Sequence, residues 1–87
     1  MEIKQYTIDC RRFTSKADTH RYLAEVFAFP EYYGNNLDAL YDSLSELPSC
    51  IIRMTYPWAL AGLGEYGISL LRVFQDIALE RSDIQLV

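Results

Sequence analysis

One short stretch of the chain concentrates side chains that could do chemistry. Residues 29–47 read FPEYYGNNLDALYDSLSEL and contain four carboxylates, three tyrosines and no Lys or Arg. Two of the carboxylates, Asp38 and Asp42, are four residues apart and would share one face of a helix. Such a pair can act as general acid and base, bind a divalent metal, or accept hydrogen bonds from a basic partner. The rest of the sequence must decide between these uses.

The negative charge of the chain is concentrated in the same region. Between Arg21 and Arg53 there are five acids and no base, so this segment carries −5, whereas the whole chain of 87 residues carries −4. A localised negative field repels nucleic-acid phosphates, which argues against direct nucleic-acid binding. It attracts a basic partner and can accelerate the encounter. The simpler interpretation is a solvated acidic surface that aids solubility, and charge alone favours this simpler interpretation.

Other kinds of site find little support in the sequence. The single histidine, His20, is flanked by polar residues and is interpreted as a surface side chain. There is no zinc-ligand spacing, P-loop or dinucleotide-binding motif, so we expect no metal and no cofactor. The N-terminus lacks the apolar region of a secretory signal, and no apolar run is long enough to span a membrane. A cytoplasmic protein without a membrane segment is therefore expected.

The hydrophobic periodicity predicts one α/β domain that spans residues 1–87. Strands are predicted at residues 3–10, 50–54 and 84–87, and helices at residues 15–28, 36–47 and 68–81. The order is β-α-α-β-α-β, and helical connections between strands favour a small three-stranded parallel sheet packed with helices. In such a sheet Cys10 ends the first strand and Cys50 begins the second, so we expect two buried free thiols and no disulfide.

The second predicted helix separates its leucines from its acids. A core stripe at helical spacing is formed by Leu37, Leu40, Leu44 and Leu47. Asp38 and Asp42 lie outside this stripe, and Asp42 is too far from the helix N-terminus to gain much from the helix dipole. An exposed pair on a convex helix makes a poor catalytic pocket, but it makes a good contact surface.

The connection between the second predicted strand and the third predicted helix is unusually apolar. Residues 56–67 include the sequence PWALAGLG, with a single helical turn as the most that is expected there. We expect Trp58, Leu60 and Leu63 to cap the core. The alternative is a second interface through these three residues that allows self-association of an otherwise monomeric protein.

The acidic stretch also resembles a known signature. Residues 29–44, FPEYYGNNLDALYDSL, closely resemble barstar-type ribonuclease inhibitors, in which a PEYYG loop leads into an NLDALWD helix. Weaker similarity covers RVFQD at residues 72–76 and the DI before the last strand. The resemblance implies the family's three-stranded parallel sheet. It also implies a cytoplasmic, non-catalytic antitoxin or immunity protein that blocks a small secreted guanyl-specific ribonuclease of the barnase type.

By motif position, the resemblance implies that the contacts with the ribonuclease are Tyr32, Gly34, Asn36, Asp38, Tyr41, Asp42 and Asp76. Three departures from the family pattern favour a target other than barnase itself. Tyr41 replaces the usual Trp, Asp76 stands where a glutamate is common, and the connection at residues 45–49 is shorter and lacks an aromatic.

Two other classes of function remain open at this point. The first is an acidic interaction module on the same fold that binds a basic partner other than a ribonuclease. The second is an enzyme in which Asp38 and Asp42 form an acid/base or metal-binding pair. A pulldown of a basic protein without nuclease activity would favour the former, and metal binding that Asp38→Asn abolishes would favour the latter.

Overall fold

A computed structural model describes residues 3–87 of the chain. The predicted domain also includes residues 1 and 2, which lie outside the described residues. Three strands are present, β1 (Lys4–Asp9), β2 (Cys50–Thr55) and β3 (Ile84–Leu86). Three α-helices are present, α1 (Lys16–Phe27), α2 (Leu37–Ser45) and α3 (Glu65–Glu80). Two 3₁₀ helices, Cys10–Arg12 and Pro57–Leu63, follow β1 and β2.

The three strands form one parallel sheet in the order β1-β2-β3, which confirms the predicted fold. Lys4 pairs with Cys50, and Cys50 pairs with Ile84, so β2 is the central strand. This register places Cys50 at one end of the sheet, whereas Cys10 follows the last residue of β1 at the other end. Both cysteines are buried free thiols, as predicted. Burial raises the pKa of the Cys10 thiol to about 11.

The core lies where the helices cover the sheet. The side chains that are 2% exposed or less include Ile8, Leu23, Leu40, Leu44, Ile52, Leu70, Phe74, Ile77 and Ile84. They come from β1, β2 and β3 and from the inward faces of the three α-helices. The burial of their apolar surface stabilises the packing of the helices on the sheet. None of the helices described within residues 3–87 is both long and apolar enough to cross a membrane.

The limits of the helices around the acidic stretch follow local signals. The Ser15 hydroxyl accepts a 3.0 Å hydrogen bond from the backbone N–H of Asp18 and so begins α1. Ala28 ends α1 in the left-handed conformation, with φ of 56°. At the other side, α2 ends at Ser45 and not at Leu47 as predicted, although Leu47 is still buried. The Arg81 guanidinium donates to the carbonyl oxygens of Ser45 and Leu47, at 3.0 and 2.6 Å, and this contact fixes the end of α2 against α3.

The interpretation of His20 as a surface residue is wrong. Its side chain is only 1% exposed, and it faces the core together with Leu23 and Phe27. The spacings of three and seven residues from His20 to these two residues place all three on one side of a helix. Position on the helix therefore decided the burial of His20. Of its two polar neighbours in the sequence, Thr19 is buried as well and Arg21 is exposed.

The prediction for the apolar connection is partly wrong. Leu60 is 7% exposed and Leu63 packs against the core, as expected. Trp58, however, is 70% exposed. A 3₁₀ helix has three residues per turn, so Leu60 and Leu63 share a face that Trp58 does not. Trp58 instead lines an open apolar groove of about 430 Å³ with Pro57, Ile68 and Leu71 among its other residues. Self-association through this region stays a prediction.

Candidate protein-interaction surface

The loop between α1 and α2, residues 28–36, is held in place by two inward-facing side chains, Phe29 and Tyr33. The backbone N–H of Tyr33 donates to the Pro30 carbonyl at 2.9 Å, which closes a turn. Tyr33 is 8% exposed and its ring contacts that of Phe29, with 4.8 Å between ring centroids. Its hydroxyl is hydrogen-bonded to His20. Tyr32, by contrast, is 88% exposed, so the first tyrosine of the pair is free to contact a partner.

The loop then enters α2 through Gly34 and Asn36. The side-chain oxygen of Asn36 accepts a 2.7 Å hydrogen bond from the backbone N–H of Ala39, and its Nδ2 donates to the Gly34 carbonyl at 3.2 Å. Asn36 is therefore the N-cap of α2. A Cβ on Gly34 would lie 3.3 Å from both the Ala39 Cβ and the Asn36 side chain. Glycine thus lets the loop pack closely on the first turn of α2.

Loop and helix together form a shallow depression of about 170 Å³. Its lining includes three of the predicted contact residues, Tyr32, Gly34 and Asp42, from both elements. Asp42 is exposed, and so is Asp38 one helical turn earlier on α2. A carboxylate beside an exposed aromatic ring, at the edge of a depression of this size, is suited to receive a single cationic side chain.

The surface continues from α2 onto α3. The Tyr41 hydroxyl donates a hydrogen bond to the carboxylate of Glu80. This hydrogen bond raises the pKa of the Tyr41 phenol, and the negative charges of Glu80, Asp76 and Asp42 raise it further. Tyr41 therefore lies among acids from both helices. Glu80 is absent from the predicted contacts, although its position four residues after Asp76 on α3 puts both on one helix face.

Within the described residues 3–87, the acids of this surface are found in no ion pair. The ion pairs found within residues 3–87 are Asp9 with Arg11, Asp18 with Arg21, and Asp83 with Arg81. None of these three pairs includes a predicted contact residue. In the same described part of the chain, no group of three or more His, Cys, Asp or Glu residues is placed to hold a metal ion. The surface is therefore an array of uncompensated carboxylates with two tyrosines among them.

The parallel three-stranded sheet is covered by helices, and an acidic loop and helix are exposed. These features define the class of this protein as a small α/β protein with an exposed acidic surface. The family model for Barstar (barnase inhibitor) matches residues 3–86. The chain is also 33% identical over 84 residues to a Bacillus subtilis (strain 168) protein named "Putative ribonuclease inhibitor YrdF", and the match covers 93% of this chain and 92% of that relative. The chain belongs to the barstar family.

Proposed function

We propose that this chain inhibits a small secreted guanyl-specific ribonuclease of the barnase type by inserting its acidic surface into the active site. The observation that carries the proposal is the depression in which Tyr32, Gly34 and Asp42 meet. Membership of the barstar family supports the ribonuclease as the class of target, and so does the name of the Bacillus subtilis relative.

The chemistry of the two surfaces is complementary. A ribonuclease must bind phosphate, so its active site is lined with Arg, Lys and His side chains. Asp42 would take the place of the scissile phosphate and accept charge-assisted hydrogen bonds from these groups, with Asp38 adding its charge one turn away. Tyr32 would stack on an active-site ring as aromatic residues stack on nucleobases. The chain thus imitates RNA by charge and shape and has no catalytic role of its own.

The surroundings of Tyr41 bear on the choice of ribonuclease. Tyr41 is smaller than the tryptophan that the family pattern has at this position, and its hydroxyl is already bonded to Glu80. Asp76 is one methylene shorter than glutamate. Tyr41 and Asp76 lie outside the depression that Tyr32, Gly34 and Asp42 line. We therefore propose a ribonuclease of the same class as barnase that differs from barnase around its active site. We further propose that the inhibitor stays in the cytoplasm and protects the cell that makes the enzyme.

An activity assay tests the proposal. The full chain is mixed with an extracellular guanyl-specific ribonuclease from the organism that encodes it, and RNA cleavage is followed as the molar ratio increases. We expect cleavage to stop near equimolar inhibitor. Full activity at a large molar excess would contradict the proposal. A pulldown that recovers a basic protein without nuclease activity would then favour the acidic interaction module.

A further inference from the structure

A hydrogen-bonded cluster, buried at His20 and Tyr33 and partly buried at Tyr66, lies behind the contact loop. Nδ1 of His20 is 2.7 Å from the Tyr33 hydroxyl. The other ring nitrogen, Nε2, is hydrogen-bonded to the hydroxyl of Tyr66 in the first turn of α3. One imidazole on α1 therefore connects the loop to α3, and the sequence separations of 13 and 46 residues make these tertiary contacts. No residue of the cluster is among the predicted contacts with a ribonuclease.

We propose that His20 is a positioning residue for the contact loop, which it holds in the binding conformation only while its imidazole is neutral. The proposal rests on the proposed function, because the loop is the surface offered to the ribonuclease. Tyr33 lies between Tyr32 and Gly34 in the sequence, and it is the loop residue that is hydrogen-bonded to His20. Tyr32, at 88% exposed, has little packing of its own, so its direction depends on this neighbour.

The hydrogen-bonding capacity of imidazole explains the dependence on charge. A neutral ring has one N–H donor and one acceptor nitrogen, so one tyrosine hydroxyl accepts from His20 and the other donates to it. A protonated ring has two N–H donors, so both hydroxyls must accept, whichever tautomer was present before. The hydroxyl that previously donated then has to find another acceptor. The Tyr33 hydroxyl is buried, so leaving it as a donor without a partner is costly, and an outward movement of Tyr33 relieves that cost. The Tyr66 hydroxyl is only partly buried and is closer to solvent.

The groups around His20 favour the neutral form. The titratable groups hydrogen-bonded to it are the phenols of Tyr33 and Tyr66, and the Lys16 ammonium lies 4.7 Å from the centre of the Tyr66 ring. Within residues 3–87 no carboxylate is hydrogen-bonded or ion-paired to the imidazole. Burial lowers the pKa of His20 below its usual value of 6.5. The stabilisation of the folded state by the neutral His20 imidazole is thus complete above pH 6.5. It is lost as the pH falls through the lower pKa that His20 has in the folded state.

Hydrogen–deuterium exchange of the full chain tests the positioning role without a partner. Residues 29–36 are compared with β2 from about pH 8 to about pH 5, the range in which histidine changes charge, after correction for intrinsic exchange. We expect protection of the loop to fall about tenfold more than that of β2, as for the loss of one buried hydrogen bond. Tyr33→Phe should show the weakened loop already at the higher pH.

Tyr22→Phe is the matched control, because it also removes a tyrosine hydroxyl from a hydrogen bond, the one at 2.8 Å with the backbone N–H of Asp9. Tyr22 is on the same helix as His20 but outside the cluster, so the loop should keep its protection. Parallel loss of protection in loop and strand at low pH would overturn the proposal. So would wild-type protection of the loop in Tyr33→Phe.

A binding experiment links the cluster to the partner. The probe is a guanyl-specific extracellular ribonuclease of the barnase type, whose own histidines also titrate. His20→Gln cannot be protonated in this range, so we expect its affinity to fall less on acidification than that of the wild type, with a difference of about tenfold. Identical pH profiles for the two proteins would overturn the proposal. No binding by the wild type at any pH would contradict the proposed function instead, and the exchange experiment would then decide the positioning role alone.

Discussion

Asp42 has no contact in the described part of the free chain that accounts for its presence. It is exposed, it is more than one turn inside α2, and none of the ion pairs found within residues 3–87 includes it. Asp38 lies in the first turn, where the helix dipole favours an anion. Two like charges at this spacing cost a few tenths of a kcal/mol. The dipole can offset this cost for Asp38 but not for Asp42, so Asp42 has no stabilising role in the described structure, which is consistent with the proposed role in binding.

Replacing Asp42 by alanine should separate binding from folding. We expect Asp42→Ala to leave the free energy of unfolding unchanged or slightly higher, because a repulsion is removed. Binding to the ribonuclease should weaken by about 2–5 kcal/mol, as is typical when one partner of a buried, hydrogen-bonded charge pair at an interface is truncated. Denaturant unfolding and titration calorimetry measure the two quantities. A marked loss of stability would mean that Asp42 is structural.

Glu46→Ala is a matched control for this variant. Glu46 belongs to the same acidic segment, is exposed and follows the last residue of α2, but it lies outside the predicted contacts. We expect its removal to change affinity by no more than about 0.5 kcal/mol, as for an ordinary surface substitution. Equal losses from the two variants would show that total charge, and not the position of Asp42, determines binding.

The sequence predicted some side-chain positions of the candidate surface and failed at others. The leucine stripe placed Asp38 and Asp42 outward, and both are exposed. The sequence pattern did not indicate whether Tyr32 or Tyr33 faces inward. That choice depends on the hydrogen bond of Tyr33 with His20, which is thirteen residues earlier in the chain. Glu80 was missed for a similar reason. Its hydrogen bond with Tyr41 joins residues 39 positions apart, and the periodicity of one helix does not reveal such a contact.

Among the elements, those with local signals were predicted best. The first predicted strand and the first predicted helix depend on signals within a few residues, such as the Ser15 cap, and the structure has both elements. The 3₁₀ helix Pro57–Leu63 was expected to be no more than a single turn. The early start of α3 at Glu65 was also missed. The length of the 3₁₀ helix and the start of α3 both depend on how the segment Pro57–Leu63 packs against α3, where Gly67 approaches the Leu60 backbone. The local sequence carries no direct signal for that contact.

Gly67→Ala tests this close packing of two elements. A Cβ on Gly67 would lie 2.3 Å from the Leu60 carbonyl oxygen, so the connection or the helix would have to move. Alanine is normally the better residue inside a helix, by about 1 kcal/mol. We nevertheless expect the free energy of unfolding to fall by about 1–3 kcal/mol, because overpacking against backbone outweighs that gain. Denaturant unfolding followed by circular dichroism measures the difference.

Gly62→Ala provides the comparison within the same segment. A Cβ on Gly62 would meet no atom within 4 Å. The free energy of unfolding of Gly62→Ala should therefore stay close to that of the wild type. Equal stability of the two variants would show that the segment Pro57–Leu63 can shift away from α3 without cost. The close contact would then be incidental to the way in which the connection covers the core.

For the molecule as a whole, element order predicted the fold more completely than it predicted the partner. Strands joined by helices leave few arrangements other than a parallel sheet, so the β-α-α-β-α-β order was sufficient. The target is a different problem, because affinity depends on the shape and charges of two surfaces and this chain supplies only one. The −5 carried between Arg21 and Arg53 is compatible with a partner of opposite charge, but it does not identify the chemistry of that partner.

The uneven charge of the molecule predicts how salt should act on association. Steering of oppositely charged proteins, known from barnase with barstar itself, operates over distances that salt screens, whereas close contacts in the complex are screened much less. Raising the ionic strength from about 0.01 M to about 1 M shortens the Debye length from about 30 Å to about 3 Å. We therefore expect the association rate constant with the ribonuclease to fall steeply while the dissociation rate constant changes little. Stopped-flow mixing measures the first and competition the second, and an association rate that is independent of salt would show that the acidic surface does not guide the encounter.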